Sequence, residues 1–136
     1  MLKFTKDLKT NVEIIDEQHK ILIKYINLLL KLGTRAAEQP EIEKSLQFLG
    51  NYVIKHFADE EALQAKNNYP RYETHHSLHA QFMEDYKELV KSYNDSGASK
   101  ALMLQVNRSV VAWVIHHIQE EDILFANFVR SHKIVV

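Results

Sequence analysis

Histidine is the residue type in which this 136-residue chain is unusual, because it occurs eight times. Cysteine is absent, which excludes disulfides, thiolate zinc sites and cysteine-held iron–sulfur clusters. Two pairs have i,i+4 spacing, namely His56 with Glu60 and His75 with His79. Residues at this spacing lie one turn apart on the same face of a helix and can bind one ion together. The spacing therefore indicates metal binding through nitrogen and oxygen ligands.

The elements that carry these residues are four predicted helices. Only three glycines and two prolines interrupt the chain, which favours long helices over an all-β fold. The predicted helices run from a Thr10 cap to about Ala37, from Pro40 to about Lys66, from Pro70 to about Tyr93 and from Ser99 to about Arg130. Short loops make successive helices antiparallel. We therefore expect an all-α, up-down-up-down antiparallel four-helix bundle, with residues 1–136 forming a single domain.

Histidine falls on the apolar stripe of every predicted helix when the phase is advanced by about 100° per residue. The stripes contain Ile15, His19, Leu22 and Ile26; Val53, His56, Glu60 and Leu63; His75, His79, Phe82 and Tyr86; and Val110, Val114, His117, Leu124 and Phe128. A buried imidazole without a partner costs several kcal/mol. A hydrogen bond usually satisfies one core histidine, but five at one level of one core are better explained as metal ligands. The other three, His76, His116 and His132, are expected at the surface.

The sequence of the fourth helix does not show which of two carboxylates is the metal ligand. Phase alone places Glu121 beside His117, whereas Asp122 falls about 140° away at the rim of the stripe. The supercoil of the bundle or a π-bulge in that turn would rotate Asp122 toward the core instead. Periodicity does not decide between the two residues.

The number and type of these ligands favour a pair of iron ions. Five histidines and two carboxylates exceed what one four-coordinate zinc needs. Imidazole with carboxylate suits iron, and dinuclear iron sites occur in helical bundles. A histidine-rich site carries less anionic charge than a carboxylate-rich one, so it stabilises high-valent iron less. We therefore expect it to hold O₂ reversibly rather than cleave it.

At these residues the sequence resembles the haemerythrin family, specifically the single-domain bacteriohaemerythrins. The resemblance is carried by Asp16-Glu17-Gln18-His19, His56-Phe57-Ala58-Asp59-Glu60-Glu61, Tyr69-Pro70 followed by His75-x-x-x-His79, and Trp113 with His117-Ile118 and Asp122. It covers nearly the whole chain. The family pattern His-x-x-x-x-Asp matches His117 and Asp122, which selects Asp122 over Glu121.

The resemblance also implies a role for each ligand. One iron would be held by His75, His79 and His117, the other by His19 and His56, with Glu60, Asp122 and an oxo or hydroxo group as bridges. The second iron would have one open position, where O₂ would bind end-on and be held as a hydroperoxide. Five apolar residues near the ligands are candidates for the O₂ pocket: Leu22, Phe57, Trp113, Val114 and Ile118.

The leading functional hypothesis is a non-enzymatic protein that binds O₂ reversibly for storage, transport or delivery. The alternatives are a di-iron peroxidase, a protein that handles nitric oxide or senses O₂, and an iron store. Nitric oxide or other small anions are further candidate ligands of the open iron position.

Charge and hydropathy limit which other classes of partner, such as nucleic acid or a membrane, can be expected. Lys and Arg number 17 against 18 for Asp and Glu, which gives no reason to expect nucleic acid. The longest apolar run, near Ile21–Leu32, is interrupted by polar residues and too short to span a bilayer. The N-terminus lacks the apolar core of a secretory signal, so a cytoplasmic location is expected. The resemblance implies a monomer.

Overall fold

The chain folds as an up-down-up-down bundle of four long helices, as the sequence predicts. The computed structural model describes residues 1–34 and 39–133, and no strand occurs among them. A short 3₁₀ helix, Lys6–Leu8, precedes α1 (Glu13–Thr34), α2 (Gln39–Lys66), α3 (Tyr72–Ser96) and α4 (100–131). The expected end of the first helix near Ala37 lies outside the described residues. None of the helices in residues 1–34 and 39–133 has an apolar stretch of the length needed to span a bilayer.

The start of α1 is fixed by a different residue from the one expected. A capping box would pair Thr10 with Glu13, but Glu13 is exposed. The buried carboxylate of Asp16 instead accepts hydrogen bonds from the Thr10 amide (2.8 Å), the Thr10 hydroxyl (2.7 Å) and the Asn11 amide (3.2 Å). These bonds satisfy donors that precede the first turn. Asn11 has a φ of 65°, a left-handed conformation that Asn tolerates better than most residues.

The other helix boundaries lie within a few residues of the prediction. Pro70 lies in the turn before α3, which begins two residues later than expected. Ser99 caps α4 as predicted, because its Oγ accepts a hydrogen bond from the Leu102 amide at 3.0 Å. The short turn between α2 and α3 makes these helices antiparallel neighbours.

Two π-helical segments interrupt α4. The helix comprises Lys100–Val106, Asn107–Ala112 (π), Trp113–His117, Ile118–Asp122 (π) and Ile123–Ser131. A π turn contains an extra residue, so it shifts the phase of every residue after it. Asp122 and Phe125 are therefore buried, whereas Leu124 is 45% exposed. The prediction that Leu124 lies on the apolar stripe is wrong for this reason.

The apolar core is divided by a polar layer. One large cluster contains residues from all four helices, and a smaller one surrounds Tyr69 and Phe125 near the α2–α3 turn. On α1, Ile15 belongs to the smaller cluster and Leu22 to the larger one, with His19 between them. The fold thus places its buried polar residues between two apolar regions.

Candidate metal centre

All seven predicted ligands are buried at this level of the bundle. Their exposed fractions do not exceed 5%: His19, His56, Glu60, His75, His79, His117 and Asp122. Apolar packing on either side keeps bulk water away from these side chains, so they must satisfy one another or an ion.

The ligand atoms form two groups that share both carboxylates. The first group is Glu60, His75, His79, His117 and Asp122, and the second is His19, His56, Glu60 and Asp122. Within each group, one potential ligand atom per residue lies within 4.8 Å of every other. The first group offers five ligands and the second offers four.

The carboxylate of Glu60 directs one oxygen at each group. Its Oε1 lies 2.5 Å from Nε2 of His75 and 3.4 Å from Nε2 of His79. Its Oε2 is the atom that faces His56, at 3.9 Å from Nε2. A carboxylate oriented in this way can bridge two cations.

Asp122 has the same arrangement from the opposite side of the bundle. Its Oδ1 lies 3.1 Å from Nε2 of both His75 and His117. Its Oδ2 lies 2.9 Å from Nε2 of His19. Because the π turn Ile118–Asp122 inserts an extra residue after His117, the carboxylate at i+5 reaches the core.

Glu121, the alternative that phase alone nominated, faces away from this centre. Its two oxygens accept hydrogen bonds from Nη2 of Arg71 at 2.7 and 3.0 Å. The Arg71 side chain is 45% exposed, so this is a partly solvated ion pair. It joins α4 to the α2–α3 turn, and the hydrogen bond and charge of Glu121 raise the pKa of Arg71.

The shared carboxylates control the protonation of the histidines. Burial lowers the pKa of His75, but the adjacent carboxylates of Asp122 and Glu60 outweigh burial and raise that pKa to about 10. Burial also lowers the pKa of His19, but Asp122, together with Glu60 and Asp16, outweighs burial and raises it. Burial lowers the pKa of His56 to about 4. The carboxylates therefore favour a proton on the histidines that face them, and cations that bind here replace such protons.

Two histidines are oriented by hydrogen bonds at their outer nitrogens. Nδ1 of His56 lies 2.6 Å from Oε1 of Gln18, and Nδ1 of His79 lies 2.8 Å from Oε2 of Glu61. Donation from Nδ1 leaves the Nε2 lone pair directed at the centre, as metal binding requires. Sequence reasoning missed both partners, although each lies beside a ligand, Gln18 before His19 and Glu61 after Glu60.

The surface histidines are exposed, as predicted. One of them still contacts the outer part of the centre, because Nδ1 of His76 forms a short hydrogen bond with Oε1 of Glu61. Glu61 thus links the buried His79 to a histidine whose side chain is 52% exposed.

A small cavity of about 10 Å³ adjoins the group with fewer ligands. Its polar lining consists of His19, His56, His117 and Asp122. All five predicted pocket residues, Leu22, Phe57, Trp113, Val114 and Ile118, line it together with Val53 and Phe82. Two rings are held against the ligands: Phe57 stacks on His79 at 3.7 Å, and Trp113 stacks on His117 at 4.4 Å. This volume accommodates about one water-sized molecule.

The donor set fits a metal centre. Both oxygens of Glu60, Oδ1 of Asp122 and Nε2 of His19 are buried and lie close to other candidate ligand atoms, but none of these contacts has the geometry of a hydrogen bond. Such atoms are rare in a folded protein unless a ligand satisfies them. Imidazole nitrogens combined with carboxylate oxygens match the preference of iron.

Two further buried polar side chains near the centre lack a hydrogen-bond partner. Gln64 lies one turn beyond Glu60 on α2 and is fully buried, yet neither amide atom has a hydrogen-bond partner. The Tyr69 hydroxyl is likewise buried without a partner, and burial raises its pKa to about 12. Neither residue was predicted from the sequence to act at the centre.

Comparison with known proteins agrees with this geometry. Residues 10–128 match the model of the Hemerythrin HHE cation binding domain, so the chain belongs to the haemerythrin family. This family consists of non-haem iron proteins that bind O₂. Because the chain belongs to it, the comparison supports iron-dependent O₂ binding as its class of function.

Several relatives match along most of their length. A bacteriohemerythrin of Methylococcus capsulatus is 31% identical over 118 residues, covering 85% of this chain and 86% of that protein. A bacteriohemerythrin of Pseudomonas paraeruginosa is 28% identical over 132 residues, covering 95% and 82%. A myohemerythrin of Riftia pachyptila is 27% identical over 108 residues, covering 79% and 77%.

Proposed function

We propose that this chain binds two iron ions in its core and uses them to hold O₂ reversibly. The observation that carries this proposal is that Glu60 and Asp122 each direct one oxygen at each of two ligand groups. Two carboxylates that bridge in this way suit a pair of ions better than a single ion.

The seven ligands divide between the two positions. His75, His79 and His117 would hold one iron, His19 and His56 would hold the other, and Glu60 and Asp122 would be shared by both. The family resemblance implies an oxo or hydroxo group as a further ligand. When bound, iron would supply the electrons that reversible O₂ binding requires. Because His19 and His56 provide fewer ligands, the position that they occupy is the one with room for O₂.

The cavity lining favours O₂ binding over catalysis. The cavity adjoins His19 and His56, and its other walls are mostly apolar side chains such as Leu22, Val114 and Ile118. These residues exclude water and provide no proton donor beyond the ligands themselves. A dry site slows proton delivery to bound oxygen, and proton delivery is what promotes loss of peroxide.

The small size of the cavity sets the class of ligand. About 10 Å³ restricts the position to a very small molecule, of which O₂ and nitric oxide are candidates, and an organic peroxide would require the lining to move. We therefore propose a non-enzymatic O₂ binder, with storage, transport and delivery as its candidate uses, in a single domain of residues 1–136. A cytoplasmic location is part of this proposal.

O₂ uptake by the anaerobically reduced, iron-loaded protein tests the function. We expect one O₂ per pair of irons, released again under argon, with little H₂O₂ formed. The Glu60→Ala variant should lose uptake, and His116→Ala, which alters an exposed histidine, should retain it. Rapid turnover of H₂O₂ would instead identify a peroxidase, and loading well beyond two irons per chain would identify an iron store. Either result would overturn the proposal.

A further inference from the structure

Helix α1 has a second apolar face that points away from the core. Ile14, Ile21 and Leu28 recur at seven-residue intervals and are 47%, 40% and 40% exposed. The buried face of the same helix contains Ile15, Leu22 and Leu29. Single exposed apolar residues are ordinary, but these three lie on one line of one helix that spans about 21 Å from Ile14 to Leu28.

The charges beside this stripe have opposite signs at its two ends. Glu13 and Glu17 are exposed in the first half of α1, and Lys24 and Lys31 are exposed in the second half. Lys20, between them, forms an ion pair with Glu17 at 2.9 Å. The charges along this face are therefore acidic toward the start of α1 and basic toward its end, with the Lys20–Glu17 pair between them.

We propose that this face binds a second copy of the chain, with the two α1 helices antiparallel. A two-fold axis near Ile21 brings the two copies of Ile21 together and sets Ile14 of each copy against Leu28 of the other. The same operation places Glu17 opposite Lys24 of the second copy. A parallel pairing would place like charges together, so charge complementarity selects the antiparallel arrangement.

The pairing leaves each metal centre intact, since His19 lies on the buried side of α1. The proposal does not depend on what the centre binds. It differs from the monomer that the family resemblance implies, because it rests on the exposed residues of this particular helix.

Oligomeric state measured by sedimentation across a wide concentration range provides the first test. We expect a reversible monomer–dimer equilibrium. Ile21→Asp should raise the dimer dissociation constant by about tenfold or more, because it places two like charges at the axis. The matched control is Leu104→Asp on α4, where the native leucine is 62% exposed, and it should not change the constant. Unchanged helical content by circular dichroism in both variants verifies that they are folded.

A charge exchange tests the direction of the helices. Glu17→Lys and Lys24→Glu should each weaken the dimer, and the double variant should restore it. The absence of native cysteine permits a direct geometric test as well. Oxidation should link two Ile21→Cys chains, and should link Ile14→Cys to Leu28→Cys but neither of those to itself. A chain that stays monomeric at every concentration, or Ile21→Cys chains that fail to cross-link on oxidation, would overturn the proposal.

Discussion

The π turn in α4 predicts that two adjacent carboxylates behave in opposite ways. Asp122→Ala removes a ligand from both groups, because each oxygen of Asp122 faces a different one. Glu121→Ala removes only an ion pair with Arg71. The substitutions are chemically matched and adjacent in sequence, so a difference between them reports the rotation of this turn.

The contacts of Asp122 and Glu121 indicate how strongly each substitution should affect metal affinity and folding stability. Removing an outer partner of a metal ligand costs about 10–100-fold in affinity, and removing a ligand itself must cost more. We therefore expect Asp122→Ala to lose at least about 2.8 kcal/mol of metal-induced stabilisation at each position. Glu121→Ala should lower folding stability only slightly, because a solvated ion pair is weak, and leave metal affinity unchanged.

Denaturant unfolding with and without bound metal measures both quantities. Metal that binds only the folded state adds its binding free energy to the free energy of unfolding. Asp122→Asn, which preserves shape, serves as a second variant in case Asp122→Ala folds poorly. Equal loss of metal-induced stabilisation in Glu121→Ala and Asp122→Ala would refute the assignment of Asp122 as the ligand.

Three further predictions concern groups around the centre. Because the pKa of His75 is raised to about 10 without metal, metal binding at pH 7 must displace its proton, so metal affinity should rise from pH 6 to pH 8. Calorimetry in buffers of different ionisation enthalpy should show that metal binding releases this proton. Metal binding without proton release would contradict the prediction. Glu61→Ala should weaken metal binding by about 10–100-fold by freeing Nδ1 of His79, and competition with a chelator measures this. Unchanged affinity would mean that Glu61 does not orient the ligand. Gln64→Leu should raise the free energy of unfolding by about 1 kcal/mol, because it replaces a buried amide that has no partner. A loss of stability on urea unfolding would show that the amide is satisfied in solution.

The fold was largely predictable because its apolar spacing is regular. Helical phase placed His19, His56, His75 and His79 on buried faces, and all four are buried. α1, α2 and α3 contain no π turn among the described residues, so the 100° rule holds along them. Their capping details were harder to predict, as the role of Asp16 illustrates, because several nearby carboxylates compete for the same amides.

The fourth helix could not be phased from the sequence alone. A π turn changes the register by one residue, and the local sequence has no feature that requires it. The register is fixed by tertiary packing, since Asp122 contacts histidines from α1, α3 and α4. Family resemblance selected Asp122 correctly for the buried position, and the failure at Leu124 has the same origin. Partners such as Gln18 and Glu61 were also missed, because their role depends on which ring nitrogen faces outward.

Anomalous diffraction at the iron edge from crystals of the iron-loaded protein shows directly whether the core holds two irons. We expect two iron peaks in each chain, both bound by Glu60 and Asp122. One peak should lie within bonding distance of His75, His79 and His117, and the other within bonding distance of His19 and His56. A single peak, or a peak bound by residues outside this set, would mean that these seven side chains do not hold a pair of irons.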